Sequence, residues 1–167
     1  MEYRDLYDEN RNLTGEKITK NQTVPKGKYY VTVMVFITNS NGEILLQKRS
    51  KQKGRLWATT GGHPTSGQNS LQGIQTEIFE ELGINIKEDD LTLYKTIKTE
   101  DDFVDLYYLK QDIDIAKLKL QKEEVEDVKW FTQQEIKNLI KENIFLTYHI
   151  QPYYDFLNYF KIDKIIK

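Results

Sequence analysis

The amino-acid sequence predicts a single α/β (α+β) domain in which a mixed β-sheet lies between helices. Segments rich in β-branched and aromatic residues flank a glutamate-rich helical segment on both sides, and a second helical segment follows near the end. This order is typical of one sheet covered by helices. Because no internal repeat or linker divides the 167 residues, we expect one domain over 1–167, with an N-terminal hairpin or extension over 1–27 and a core over 28–167.

The first predicted elements are strands. Residues 5–18 read as a short hairpin around the polar turn DENRN. The segment YYVTVMVFIT, residues 29–38, is apolar on both faces at its centre, which predicts a buried strand. The turn NSNG leads into a second strand, EILLQKRS at 43–50, and WATT at 57–60 predicts a short strand before a glycine pair.

A helix is predicted from Asn69 to Leu82. Asn69 or Ser70 suits the N-cap, and Gly83 suits the position just after the C-terminus. One apolar stripe, expected to face the sheet, is formed at helical spacing by Leu71, Ile74, Ile78 and Leu82.

The remaining segments complete the predicted sheet and its second helical layer. LTLYKTIK (91–98) and FVDLYYLK (103–110) predict strands joined by the acidic turn TEDD, and EDVKWF (126–131) predicts another. TQQEIKNLIKEN (132–143) begins with a capping residue and predicts a helix. The tyrosine- and phenylalanine-rich segment 147–160 predicts a last helix, which covers the core or contributes to a homodimer interface.

The composition excludes several classes of function. Lys and Arg number 24 against 26 Asp and Glu, and this near balance argues against a protein that binds nucleic-acid duplexes or a polybasic membrane anchor. The absence of cysteine excludes disulfides, thiolate metal sites and cysteine nucleophiles. No apolar run has the length of a signal peptide core or a membrane span, so we expect a cytoplasmic protein without membrane contact.

Three glutamates in one helical turn, Glu77, Glu80 and Glu81, indicate a metal site. Like charges three and four residues apart on a helix repel by about 0.2–0.5 kcal/mol per pair. A solvated acidic face paired with lysines is the common explanation, but no Lys or Arg lies within one turn of this helix. Carboxylate oxygens are the ligands that Mg²⁺ prefers, so a divalent cation accounts better for the cluster.

The glutamates belong to a longer pattern that resembles the Nudix hydrolase box, G-x5-E-x7-R-E-U-x-E-E-x-G-U with U apolar. The pattern begins at Gly62. Its later part, E-U-x-E-E-x-G-U, is matched by Glu77, Ile78, Glu80, Glu81, Gly83 and Ile84. Gln68 stands where the first Glu belongs, and Thr76 stands where the Arg belongs. The resemblance extends to GEILLQKRS before the box and EEVEDVKWF after it, and so covers most of the chain.

This resemblance implies an αβα sandwich and Mg²⁺-dependent cleavage of a diphosphate linked to another group, such as a nucleoside diphosphate derivative; Mn²⁺ is an alternative ion. It implies that Glu77, Glu80 and Glu81 are the metal ligands and catalytic residues, one of them acting on the attacking water. A further acidic residue from a later loop completes such sites, for which Glu123 or Glu124 is the candidate and Asp105 the second choice. The missing arginine at Thr76 is expected to affect rate rather than fold.

Residues before the helix are candidates for binding the substrate. A tight loop at Gly61 and Gly62 would let the backbone approach a phosphate, with His63 touching the substrate or bonded to backbone instead. Among the basic residues of 48–55, Arg49 is a candidate for neutralising phosphates. Trp57 would stack on a base, or else pack beside a strand.

Two alternatives remain open. The stretch WATTGGHPTSG is similar to the Cys-Gly-His-Pro stretch of type I isopentenyl-diphosphate isomerases, but Gly61 occupies the cysteine position. Those isomerases bind metal mainly through histidines, and this chain has only His63 and His149. The other alternative is a ligand-sensing module that lost catalysis, for which Gln68 and Thr76 are the evidence.

Overall fold

The computed structural model describes the backbone of residues 1–166 and the side chains of residues 1–161; residue 167, the last of the predicted domain, lies outside the described residues. The strands are β1 (Tyr3–Tyr7), β2 (Leu13–Thr19), β3 (Tyr30–Thr38), β4 (Ile44–Arg49), β5 (Trp57–Ala58), β6 (Thr60–Gly62), β7 (Thr92–Lys98), β8 (Asp102–Lys110) and β9 (Val125–Phe131). The α-helices are α1 (Ser70–Leu82), α2 (Gln133–Lys141) and α3 (Ile150–Ile166).

The main sheet is mixed. Its strands run in the order β5-β4-β3-β8-β7, with β6 paired to β3 and β9 paired to β4. β3 and β8 are parallel, in register from Tyr30 opposite Asp102 to Thr38 opposite Lys110, and the other pairs are antiparallel. The mixed sheet predicted from the sequence is confirmed.

Helices cover both faces of this sheet. On one face α1 buries Ile74, Ile78 and Leu82 in a cluster that includes Val33 and Val35 of β3. The opposite face carries a second cluster with residues of α2 and α3, in which Phe36 of β3 stacks on Phe156 at 4.9 Å between ring centroids. β3 is therefore apolar on both faces because both faces are covered, and the predicted αβα arrangement is confirmed.

Capping residues define the ends of α1. The Asn69 side chain accepts a hydrogen bond from the backbone N–H of Gln72, and the Gln72 side chain accepts one from the backbone N–H of Asn69. Gly83 ends the helix in the left-handed conformation, with φ of 75°, which a side chain would strain. Both caps agree with the prediction and hold the glutamate turn in place.

The aromatic C-terminal segment packs as predicted. A 3₁₀ turn at Thr147–His149 leads into α3, and Tyr153, Phe156 and Phe160 are buried against the sheet. No helix in residues 1–166 combines the length and apolar character needed to cross a membrane.

Candidate active site

A cleft of about 1060 Å³ opens beside α1. Its walls come from the N-terminal hairpin, β3, β4, β6, α1 and the start of α3. The cleft brings together these predicted site residues: Arg49, Gly61, Gly62, His63, Glu77, Glu80, Glu81 and Glu124.

Glu81 is the most buried of the three glutamates, with 7% of its surface exposed. Its carboxylate accepts a hydrogen bond of 2.6 Å from Nε2 of Gln47, whose Oε1 accepts one of 2.8 Å from the Thr60 hydroxyl. Burial raises the pKa of Glu81 to about 7, the Gln47 bond opposes that rise, and the nearby charge of Glu124 adds to it. The helical wheel placed Glu81 closest to the apolar stripe, and the burial confirms this position.

Glu77 is half-buried and lies against the glycine pair. Burial raises its pKa to about 8, with further contributions from the charges of Glu81 and Glu80, while a hydrogen bond from the His63 backbone opposes the rise. A Cβ built on Gly62 would overlap the Glu77 carboxylate. Glycine is therefore required at residue 62 so that this carboxylate can lie against the backbone of β6.

These carboxylates suit a hard divalent cation. Among the described residues neither Glu77 nor Glu81 has an ion pair, although burial and mutual repulsion oppose their charged forms. The described part of the chain also lacks a group of three or more His, Asp or Glu side chains gathered to hold an ion alone. This donor set fits Mg²⁺, which commonly takes one or two carboxylates and completes its shell with water and substrate phosphates.

The raised pKa values predict that Glu77 and Glu81 lower the stability of the metal-free protein as the pH rises from about 4.5 to about 8. Glu77 and Glu81 bind a proton more tightly in the folded state than in the unfolded state, where their pKa has the ordinary value of 4.5. The stability that this proton binding contributes is complete below pH 4.5 and is lost as the pH rises through the folded-state pKa of about 7 for Glu81 and about 8 for Glu77. Burial lowers the pKa of His63 and of His149 to about 4, so these histidines act with the opposite sign and add stability as the pH rises from about 4 to 6.5. The net loss of stability is therefore expected from about pH 6.5 to 8, where only the glutamates still titrate.

Thermal melts in a chelator across this pH range measure the effect. We expect the Glu77→Gln/Glu81→Gln double variant to show a flatter profile above pH 6.5, and Mg²⁺ to restore stability most at the alkaline end. The control is Glu88→Gln, an exposed residue outside the cleft. Parallel profiles for the wild type and the double variant would show that the two carboxylates titrate normally.

The acidic residues outside α1 occupy different environments. Glu124 lines the cleft, and its carboxylate lies 3.3 Å from Nζ of Lys53. Glu123 is exposed and outside the cleft, although its carbonyl accepts a hydrogen bond from the Ser50 hydroxyl. Of the two neighbours, Glu124 therefore remains the candidate.

Asp105, the second choice from the sequence, does not lie in the cleft. It is 1% exposed, and both of its oxygens accept hydrogen bonds from Arg11, at 2.8 and 2.5 Å. Burial acts to raise the pKa of Asp105, but hydrogen bonds from Arg11, Ser70 and Thr96 outweigh it and leave the pKa below its ordinary value. The structure thus corrects this candidate, because an ion-paired carboxylate facing away from the cleft cannot accept a proton from a water bound there.

The predicted substrate-binding residues divide between the cleft and the core. Arg49 lines the cleft and has no side-chain hydrogen bond or ion pair within the described chain. Trp57 lies outside the cleft, packed edge-on against Phe131 at 4.8 Å between ring centroids. This contact supports the packing alternative for Trp57, and the stacking of Trp57 on a substrate base stays a prediction.

His63 both lines the cleft and bonds to the backbone. Its Nδ1 lies 3.3 Å from the Val31 carbonyl oxygen and 3.3 Å from the Thr32 hydroxyl. Because a carbonyl only accepts, Nδ1 carries the proton, and Nε2 is left unprotonated in a ring that burial keeps neutral.

The glycine pair is part of a strand, not of the tight loop expected from the sequence. Gly61 and Gly62 end β6, opposite Met34 and Val33 of β3. Neither has a positive φ. Close packing requires the glycines instead, since a Cβ on Gly61 would stand 2.7 Å from the Val33 carbonyl oxygen.

The two residues that depart from the Nudix box contact each other. Nε2 of Gln68 donates a 3.0 Å hydrogen bond to the Thr76 hydroxyl, and Oε1 of Gln68 accepts one from the Thr65 backbone. Both residues line the cleft. A hydrogen bond between two neutral side chains, worth about 0.5–1.5 kcal/mol, thus connects the two positions at which the box has a glutamate and an arginine.

Sequence reasoning missed several residues that line the cleft: Arg4, Tyr30, Gln47, Asp102 and His149. Gln47 carried a usable signal, because a lone amide that directly follows the apolar run ILL predicts a buried polar partner. Arg4 carried none, since its position depends on how the hairpin packs.

Comparison with known proteins agrees with this fold and cleft. The NUDIX domain model matches residues 28–150. An uncharacterised Nudix hydrolase of Listeria monocytogenes is 33% identical over 152 residues, which cover 89% of this chain and 90% of that protein. A crystal structure of a Deinococcus radiodurans protein superposes with a TM-score of 0.68 at 21% identity, covering 84% of this chain and 90% of that one.

The similarity to isomerases is shorter. An isopentenyl-diphosphate Δ-isomerase of Pectobacterium atrosepticum is 36% identical over 83 residues, which cover 47% of this chain and 46% of the isomerase. The match to the family model and the long match to a Nudix hydrolase extend much further. The chain therefore belongs to the Nudix hydrolase family, enzymes that cleave diphosphate linkages.

Proposed function

We propose that this protein is a Mg²⁺-dependent pyrophosphohydrolase that cleaves the diphosphate bond of a nucleoside diphosphate derivative or a similar substituted diphosphate. The observation that carries the proposal is a pair of carboxylates, the buried Glu81 and the half-buried Glu77, with raised pKa values and no ion pair among the described residues. They share a large cleft with the basic side chains of Arg49 and Lys53. Such a site combines metal ligands with groups that neutralise phosphates.

Glu77 and Glu81, with Glu80 at the exposed side of the helix, would hold Mg²⁺, or Mn²⁺ in its place. When bound, the ion supplies neutralisation of phosphate charge and lowers the pKa of bound water. Gln47 holds the Glu81 carboxylate, and the His63 backbone holds the Glu77 carboxylate. This leaves the remaining carboxylate oxygens available as ligands.

The other polar residues of the cleft have separate roles in hydrolysis. Water attacks one phosphorus, the bond to the bridging oxygen breaks, and a second phosphoryl group leaves. Arg49 binds a phosphate, because its guanidinium is unpaired and faces the cleft. Glu124 accepts the proton of the attacking water, and the Lys53 ammonium, 3.3 Å from its carboxylate, holds it at the cleft.

A screen of diphosphates tests this proposal. Nucleotide and non-nucleotide diphosphates are incubated with the protein and Mg²⁺ or Mn²⁺. A phosphatase then releases phosphate from the cleaved products only, and this phosphate is measured. We expect at least one nucleoside diphosphate derivative to be hydrolysed, with activity abolished by a chelator and restored by the metal. Binding without hydrolysis across the screen would favour the ligand-sensing alternative, consistent with the neutral Gln68–Thr76 pair.

The protein is expected not to isomerise isopentenyl diphosphate. Gly61 stands where the isomerases have a cysteine, and a side chain there would collide with the Val33 carbonyl oxygen. Alkene protonation needs an acid and base pair, and this site has lost one member. The measurement is formation of dimethylallyl diphosphate; product that rises in proportion to purified protein would contradict the prediction.

Several expectations from the sequence remain part of the proposal. They are a cytoplasmic location, one domain over 1–167 divided at residue 28, a small-molecule diphosphate as partner, and a homodimer through the aromatic C-terminal segment. Size-exclusion chromatography with light scattering tests the last of these directly.

A further inference from the structure

The N-terminal hairpin forms part of the cleft wall, although it precedes the residues 28–150 that match the family model. Glu2, Tyr3 and Arg4 line the cleft from β1, and Lys20 lines it just after β2. The hairpin is a small separate sheet, with β1 antiparallel to β2. Its position therefore depends on how it is attached to the core.

Hydrogen bonds attach β1 to both β3 and the loop before α1. The backbones of Tyr7 and Tyr29 exchange two hydrogen bonds, of 2.7 and 2.9 Å. The Asp5 carboxylate accepts one of 2.7 Å from the Ser66 hydroxyl and one of 2.8 Å from the Gly67 N–H. Residues of β1 are thus held beside the same segment that leads into the glutamate helix.

Arg4 presents an unpaired cation to the cleft. Its side chain is half-buried, and its guanidinium carbon lies 5.4 Å from the ring centroid of Tyr30, a second cleft residue. Within the described chain the Arg4 side chain makes no hydrogen bond or ion pair. The contact with the ring restrains the guanidinium, and its N–H groups remain free to bind an anion.

Arg4 lies on the Glu77 side of the cleft. Tyr30, whose ring Arg4 contacts, lies edge-on to the His63 ring at 5.3 Å between centroids. The Glu77 carboxylate lies against Gly62, the residue before His63. Lys53 acts instead on Glu81 and pairs with Glu124. Arg4 and Lys53 are therefore separate cations of the cleft, one beside Tyr30 and the other paired with Glu124.

Among the described residues, none of the acidic side chains that line the cleft forms an ion pair with Arg4. Asp102 accepts a 2.7 Å hydrogen bond from Thr32 and another from Thr99. Glu2 acts on Glu77, where it adds to the negative charge. An anion that enters with a metal ion is the partner that Arg4 lacks.

We propose that Arg4 binds a phosphoryl group of the substrate on the Glu77 side of the cleft, which makes the N-terminal hairpin a substrate-binding element. The inference rests on the proposed function, because it takes the ligand to be a diphosphate. A guanidinium suits this ligand, since it can donate two parallel hydrogen bonds to phosphate oxygens. Arg4 is thus a substrate-binding residue of this proposal, and Arg49 binds a phosphate elsewhere in the cleft.

Binding of inorganic diphosphate in the presence of Mg²⁺, measured by calorimetry, tests the proposal. Arg4→Gln is expected to weaken the Kd by about tenfold or more, as loss of a charge-assisted hydrogen bond does. Arg4→Lys should be intermediate, because it keeps the charge and loses the fork geometry. The matched control, Lys17→Gln, removes one charge from an exposed residue of the same hairpin outside the cleft and should bind as the wild type does.

Equal affinity of Arg4→Gln and the wild type would overturn the proposal, as would an equal loss in Lys17→Gln or no binding to the wild type. With a substrate from the screen, Arg4→Gln should raise KM more than it lowers kcat, whereas a merely structural role would lower the melting temperature and leave KM unchanged. The two proposals fail separately. Arg4-dependent binding without hydrolysis would contradict the hydrolase, and hydrolysis with unchanged Arg4→Gln kinetics and affinity would contradict the role of Arg4.

Discussion

Glu81→Gln is expected to lower kcat by about 10² or more while the protein stays folded. The substitution keeps the shape of the side chain and removes the charge that a hard cation requires. Because Glu81 is 7% exposed, water cannot replace the lost ligand easily. A metal ion supplies several kcal/mol of charge stabilisation in such sites, and about 1.4 kcal/mol corresponds to tenfold in rate.

Metal-free stability should move in the opposite direction. A neutral amide at residue 81 removes a buried charge and its repulsion with Glu77 and Glu80, so the melting temperature without metal should hold or rise slightly at pH 8. The Gln47 amide, which donates to Glu81, can donate to the new amide oxygen as well. The single substitution Glu81→Gln is therefore expected to lower activity without lowering the metal-free stability.

Paired thermal melts with and without Mg²⁺, beside a hydrolysis assay, measure both effects. Mg²⁺ should raise the melting temperature of the wild type and do so much less for Glu81→Gln, because a ligand that binds the folded state more tightly stabilises it more at the same concentration. Glu88→Gln, the same change at an exposed residue outside the cleft, should respond as the wild type does. Equal Mg²⁺ stabilisation of Glu81→Gln and the wild type would mean that Glu81 does not bind the metal ion.

Local patterns predicted the elements well because their causes are local. The spacing of Ile74, Ile78 and Leu82 predicted the buried face of α1, and the two-sided apolar character of β3 predicted its central place. The same wheel placed Glu81 beside that face, as its burial shows. The capping of α1 by Asn69 likewise follows from residues within one turn.

Side chains were predicted less well where their environment comes from distant parts of the chain. Asp105 is paired with Arg11, 94 residues earlier, so nothing near Asp105 in sequence indicated its occupied carboxylate. Trp57 is packed against Phe131 for a similar reason. Gln68 and Thr76 were each interpreted as a loss, whereas their hydrogen bond makes them a pair. Pairings of this kind depend on tertiary packing, which periodicity does not report.

Gly62→Ala should reduce activity by about 10² without unfolding the protein. The new methyl group would occupy the space of the Glu77 carboxylate, which is the end of a flexible side chain and can rotate away. A displacement of this size at a metal ligand is costly, because misplacement by about 1 Å can lower the rate 10²-fold. The charge of the site is unchanged, so a loss of activity would come from geometry alone.

Gly61→Ala provides the contrast, since its methyl group would meet the Val33 carbonyl oxygen, a backbone atom that cannot rotate away. We expect Gly61→Ala to lower the melting temperature, and Gly62→Ala to keep it while losing Mg²⁺ stabilisation and hydrolysis. Melts and assays of the two variants side by side separate these outcomes. Full activity in Gly62→Ala would show that the Glu77 carboxylate is not needed where β6 holds it, and Glu81 and Glu80 would then have to account for the metal site.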